Sequence, residues 1–310
     1  MLILPKPVDN EFVLGFIGRI THVNLEGSCF KIVRALVAHF NLGMEVTSLR
    51  PHYYQAERHI QALALASDKS VDEFLFCHFN FPAERRTPRV AAKWLDRQMC
   101  RKNGREYPER KRPYLCRECI PQQVQEFDFP FWHRHHQLPG LYWCPVHKTA
   151  LLAFDHWLAE DALIPVAALA SVRTPATAAD FDKYPVLQSF CELMIGSLRR
   201  PLWMSVTRIE DCLRRRAIEL GLRPDGGDVA TVPNDSPFLS DLAFAECPAW
   251  WLEEAFGLQR TTVGKGRLAL NRVLSGGGRA PPMSYALAIA LLFSPRERAD
   301  ILNKSSHLLE

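Results

Sequence analysis

Along most of the chain, apolar residues recur every three or four positions, the spacing that lays a stripe down one face of an α-helix. Ser28 precedes Phe30, Ile32, Val33, Leu36, Val37 and Phe40, a run that ends near Gly43. Ser70 and Glu73 stand at capping-box spacing before Phe74 and Leu75. Thr87-Pro88 supplies an N-cap and a proline at the first helical position, ahead of Val90, Ala91, Trp94, Leu95 and Met99. The outer face of that helix would carry Arg89, Lys93 and Arg97, spaced by four, as a basic stripe. Further helices are expected over 186–198, with Leu187, Phe190, Cys191, Met194 and Ile195 on the apolar face, and over 206–220, closed by Gly221. Two more are expected near the end. One opens at Pro281-Pro282 and runs through Leu292, and the last is capped by Ser294-Pro295-Arg296-Glu297.

The pattern breaks in three places. Residues 101–112 are polar and basic, residues 160–185 are rich in Ala, Pro and Thr, and residues 223–238 carry Gly226-Gly227 with Pro224, Pro233 and Pro237. These breaks divide the chain into an N-terminal helical domain (1–112), a small Cys- and His-containing module (113–158), a helical segment with linkers (159–235) and a C-terminal domain (236–310). In the last, residues 248–256 form a short helix with Trp250, Trp251, Leu252 and Phe256, and Gly257 can make a turn. Thr261 or Thr262 could cap a second helix through Leu268, Leu270, Val273 and Leu274. That is a helix-turn-helix layout, whose second helix would enter a major groove. Arg260, Lys265, Arg267 and Arg272 are its candidate DNA-binding residues, joined by Arg89, Lys93 and Arg97 upstream. Gly264 and Gly266 would weaken the second helix by about 1 kcal/mol each relative to alanine.

Charge adds to this picture by its distribution. The net charge of the 310 residues is only +4. Yet residues 84–112 hold eleven Lys or Arg against four acids, and residues 258–283 hold five basic residues and no acid. Such local stretches can bind phosphate backbones in a nearly neutral chain, or simply form solvated helix faces. The 47% apolar content supports real cores. No apolar run reaches the roughly 18 residues that would span a bilayer, so a membrane is not an expected partner. Residues 1–6 lack the features of a signal peptide, which points to the cytoplasm.

Nine cysteines, an odd and irregularly spaced set, argue against a disulfide framework. Three belong to a different pattern. Cys116 and Cys119 form C-x2-C, and Cys144 and His147 form C-x2-H. Three thiolates and an imidazole suit one tetrahedral Zn2+ and leave no open position, so the ion would be structural. Short β-strands are expected around it, with the aromatic run 127–132 packed beside the metal and against the helices. No His is followed two residues later by Glu, as a zinc deaminase requires. H-E-x-x-H, the P-loop and G-x-S-x-G are all missing. His133, His135 and His136 read as interfacial or phosphate-facing polar residues. The sequence offers no enzyme site.

The segments Tyr114-Leu115-Cys116-Arg117-Glu118-Cys119, Trp132-His133-Arg134, Gln137-Leu138-Pro139-Gly140 and Cys144-Pro145-Val146-His147 together resemble the TniQ/TnsD family of transposon target-selection proteins. The opening Pro5-Lys6-Pro7 with Glu11, and Arg19 eight residues on, is similar to that family's N-terminus. The likeness covers roughly residues 4–155. The chain departs at Arg117, where the family usually has Pro, and at His136, where an aromatic is common. The resemblance implies a non-catalytic adaptor. Members bind a DNA attachment site or dock on a Cascade-like CRISPR effector, often as a homodimer, and recruit an AAA+ regulator that directs the transposase. Trp132 and Leu138-Pro139 would then pack around the knuckles. The competing reading is a zinc-containing helix-turn-helix transcription regulator unrelated to transposition. The expected fold is mainly α, multi-helical with helix-turn-helix-like units and a small central zinc-ribbon or zinc-finger module with short strands.

Overall fold

The structure, a computed structural model, describes residues 2–43, 57–80, 113–154, 176–199, 206–224, 232–264, 268, 270–275 and 280–304. The expected helix after Thr87-Pro88, with Arg89, Lys93 and Arg97, lies outside them, as do Lys265 and Arg267. The described residues are mainly helical and fall into two compact units, one ending at Ala176 and one beginning at Thr177. None of their helices is long and apolar enough to cross a membrane.

The first unit is built on four helices: α1 (Val13–Val23), α2 (Cys29–His39), α3 (Glu57–Ala66) and α4 (Val71–His78). Their apolar stripes meet in one core, with Phe16, Ile17, Ile20, Ile32, Leu36, Ile60, Leu63, Phe74 and Leu75 fully buried. The capping box read at Ser70 is present. The Glu73 N–H donates to Ser70 Oγ, and the Ser70 N–H donates to the Glu73 carboxylate. Ser28 precedes α2 as expected, but its hydroxyl accepts no capping bond.

Around the knuckles, β1 (Tyr114–Leu115) pairs antiparallel with β2 (Leu152–Ala153), and α5 (Cys119–Phe127) lies between them in sequence. The short strands match the expectation. This segment is tied to the four helices by backbone and side-chain bonds. Phe12 N–H donates to Trp132 C=O at 2.6 Å, and Arg134 N–H donates to Asn10 C=O at 2.9 Å. Trp132 is buried, and a Cβ on Gly15 of α1 would come within 3.3 Å of its ring, so glycine lets α1 and the indole sit close together.

The second unit contains α6 (Ala178–Lys183), α7 (Pro185–Leu198), α8 (Val206–Glu219), α9 (Leu239–Glu246), α10 (Ala249–Phe256), α11 (Pro282–Leu292) and α12 (Pro295–Lys304). Apolar on every face, α11 is buried among α7, α8 and α9. Helices on both sides of the Gly- and Pro-rich stretch 223–238 thus share one core. Phe190 of α7 packs edge-on against Trp251 and Phe256 of α10. Gly221 and Gly257 adopt the left-handed turns read for them. The Ser294 capping box also forms, with Ser294 N–H to Glu297 at 2.8 Å and Glu297 N–H to Ser294 Oγ at 3.4 Å.

Two expectations are corrected here. Residues 176–185 are not patternless, because Thr177 and Asp180 cap α6 reciprocally. The expected second helix from Thr261 through Leu274 does not form as one element. A 3-10 turn at Arg260–Thr262 stops at Val263 (ψ 136°), Gly264 turns left-handed (φ +77°), and a second 3-10 turn occupies Asn271–Leu274. The reason is local. Glycine at 264 makes the left-handed turn inexpensive, and its N–H donates to Asp241 Oδ1 at 2.8 Å instead of continuing a helix.

Candidate metal centre

The two knuckles enter the site by different routes. Cys116 directly follows β1, and the chain turns at once so that Cys119 N–H donates to Cys116 C=O (3.2 Å) and Cys119 opens α5. On the other side, Cys144 N–H donates to Thr149 C=O and Lys148 N–H to Cys144 C=O, both at 2.8 Å. Lys148 takes a left-handed conformation (φ 57°), which folds the loop back so that His147 faces Cys144.

The four side chains converge. One ligand atom from each of Cys116, Cys119, Cys144 and His147 lies within 4.8 Å of the others, and all three cysteines are buried. His147 Nδ1 stands 3.4 Å from Cys116 Sγ, 3.4 Å from Cys119 Sγ and 3.6 Å from Cys144 Sγ. Cys119 and Cys144 Sγ are 3.7 Å apart. A tetrahedron with M–S of ~2.3 Å and M–N of ~2.0–2.1 Å has S···S edges of about 3.8 Å and S···N edges of about 3.5 Å. The observed spacings fit that polyhedron, so the cluster can hold a metal ion through all four residues. Four such ligands saturate a tetrahedral ion and leave no place for a reactive water.

The protons of the three thiols are distributed unevenly. Hydrogen bonds from Cys119 and then Cys144 pull the Cys116 thiol far down. The same contact with Cys116 pushes Cys119 far up, and Cys144 is pushed up to about 11, also chiefly by Cys116. One thiolate is stabilised by its neighbours' S–H donors, and further negative charge beside it is opposed. A divalent cation removes that opposition.

The residues between the knuckles serve the seam with the helices. Arg134 donates to the carbonyls of Phe76 and Phe79 at the C-terminal end of α4, and Asn80 donates to Gln137 C=O at 2.9 Å. The Gln137 amide pairs with the backbone of Tyr114, accepting its N–H (2.9 Å) and donating to its C=O (2.6 Å). Gln123 of α5 does the same to Phe131, at 3.1 and 3.0 Å. Neither glutamine carried a sequence signal of this role, because an amide that mimics a strand neighbour has no fixed spacing. Trp132 and Leu138 are buried packing residues. His133 stacks on His135, and His136 meets both edge-on, with ring centroids 4.7–5.0 Å apart. His136 is fully buried, which removes it from any phosphate-facing role.

Residues 2–151 match the family model described as TniQ. That segment, just under half of the chain, belongs to the TniQ family. That membership points to a target-selection role in transposition. No curated protein matches the chain. The TniQ segment ends just after the second knuckle, so it takes in α1–α4, both knuckles and the seam between them. Of the candidate DNA-binding residues, Arg260 and Arg272 are described and exposed.

His78 makes the TniQ segment acid-sensitive. Its Nδ1–H donates to Glu11 C=O (2.9 Å), while Nε2 is buried with no partner among the described residues. Burial pushes its pKa from 6.5 down to about 4. Lys69 and Arg134 add to that depression, while the bond to Glu11 and the charge of Asp9 oppose it. A histidine depressed in the folded state contributes stability above its unfolded pKa, and that contribution is lost as pH falls from about 6.5 to about 4. At ~1.4 kcal/mol per unit the full loss is about 3 kcal/mol, of which about 2 kcal/mol is gone by pH 5. Urea unfolding of the metal-loaded chain at pH 7.5 and pH 5 should show it. The pH dependence should shrink in His78→Asn, whose amide keeps the bond to Glu11 but does not titrate.

Proposed function

We propose that the protein is a non-catalytic adaptor that selects the target site for a transposon. In this reading, the Cys116, Cys119, Cys144 and His147 cluster holds one structural Zn2+, and the TniQ segment is the scaffold it stabilises. The adaptor engages target DNA or a Cascade-like CRISPR effector, alone or as a homodimer, and recruits the AAA+ regulator that commits the transposase. The observation that carries the reading is the family match over residues 2–151, joined to a metal cluster whose four ligands leave no reactive position. The separate reading as a transcription regulator is not favoured, since it leaned on a continuous second helix after Gly257.

A transposition assay with the transposase and AAA+ regulator tests the reading. Omitting this chain should abolish insertion at the preferred site, and unchanged target choice would overturn it. Direct DNA contact is tested separately by gel shift at two salt concentrations. Affinity of the wild type should fall steeply with salt, by a slope of about 0.9 per phosphate contact. Arg260→Glu with Arg272→Glu should weaken binding and flatten that slope. If the double variant binds as the wild type does, the DNA contact lies elsewhere and these two arginines are solvated surface.

A further inference from the structure

We propose that Gln122 is a positioning residue for the metal, holding His147 in the one tautomer that coordinates through Nδ1. The inference rests on the Zn2+ reading above and concerns a side chain outside the four ligands. All three sulfurs face Nδ1 of His147, at 3.4–3.6 Å. The opposite ring nitrogen, Nε2, stands 3.0 Å from the side-chain amide nitrogen of Gln122, whose Oε1 a half-turn of the amide would bring to the same place. Gln122 lies three residues after Cys119 on α5, so the two project from neighbouring positions on one helix face. One rigid helix therefore supplies a ligand on the metal side of the imidazole and a hydrogen-bonding group behind it.

The chemistry of an amide suits this position. A ring that gives its Nδ1 lone pair to a metal must carry its proton on Nε2. Gln122 can then present its Oε1 and accept that proton. Without metal, Nδ1 can carry the proton toward the Cys116 sulfur, and the same amide, turned by half a rotation, donates its N–H to Nε2. Gln122 thus satisfies the ring in both states, and its acceptor form favours the loaded one. Groups that bond the far nitrogen of a metal-bound histidine commonly alter metal affinity by 10–100-fold. Gln122 is exposed, so water can partly replace it, which puts the expected effect near the lower end of that range.

The test uses the full chain loaded with Zn2+ and three measurements. First, zinc content of the wild type reports the underlying reading, and a chain that takes up no zinc overturns both. Second, zinc transfer to a chromophoric chelator should be about tenfold faster in Gln122→Leu, with thermal unfolding of the loaded forms nearly unchanged. Gln122→Glu, which can only accept, should restore slow transfer. Third, long-range 1H–15N spectra of 15N-histidine-labelled protein should show His147 with a metal-bound Nδ1 and a protonated Nε2. Equal transfer rates in the wild type and Gln122→Leu, failure of Gln122→Glu to restore them, or coordination through Nε2 would each overturn the role of Gln122 while leaving the zinc site standing.

Discussion

Cys144→Ser, or removal of the ion by a strong chelator, is expected to unfold the whole TniQ segment, helices α1 and α4 included. Structural zinc sites in small modules contribute on the order of 10 kcal/mol. A typical domain is stable by only about 5–15 kcal/mol. Losing the ion therefore removes most of what such a unit has. The loss is expected to spread because the seam is continuous. Trp132 packs against Gly15, Phe12 N–H bonds Trp132 C=O and Arg134 N–H bonds Asn10 C=O across it, and Arg134 holds the end of α4. Hydrogen exchange read by mass spectrometry separates the outcomes. Amides of α1 and α4 should lose protection together with those of α5 when the ion is removed, while α7 and α11 keep theirs. Retained protection in α1 and α4 would show that the knuckles unfold alone.

Arg19→Met is expected to destabilise the same segment by about 3–5 kcal/mol. Arg19 grips Glu11 with two parallel bonds, Nε to Oε1 at 2.8 Å and Nη2 to Oε2 at 2.7 Å. Glu11 is completely buried and Arg19 nearly so. The guanidinium also donates to Lys6 C=O (2.8 Å) and lies over the ring of Phe129, 4.3 Å from its centre. Removing it strands a carboxylate where water cannot reach. Replacing both residues by apolar ones removes the stranded charge as well. Glu11→Leu with Arg19→Met should therefore be less destabilising than Arg19→Met alone, although the Val8 N–H loses its bond to Glu11. Urea unfolding of the metal-loaded variants decides it. A double variant as unstable as the sum of the two singles would mean that the pair does not act as a unit.

Glu11 and Arg19 also show how far the chain could be read without coordinates. Their spacing was visible as part of a family likeness, but nothing in it said that the two touch. The capping boxes at Ser70 and Ser294 and the glycine turns at 221 and 257 were legible because each rests on groups only a few residues apart. The cluster that can hold a metal was legible for the same reason, since each knuckle is a short loop that presents two donors from fixed spacing. The helix after Gly257 was misjudged. Its apolar pattern was helical, but the carboxylate of Asp241, 23 residues earlier, captures the N–H of Gly264 and lets the chain turn there. The roles of Gln123, Gln137 and Arg134 lay beyond reach, because each satisfies the backbone of a residue brought near by the fold.

By itself, then, the amino-acid order determined the local devices: where most helices start and stop, which four residues can share a metal, and which family the TniQ segment resembles. Only the tertiary structure decided that the knuckles and the four N-terminal helices are one unit. It also decided that the residues between the knuckles are the seam joining them. The division follows from distance along the chain. Caps and knuckles close over three or four residues and are written in spacing, whereas a buried ion pair, an amide that stands in for a strand, or a tryptophan against a glycine depends on surfaces that meet only once the chain has folded.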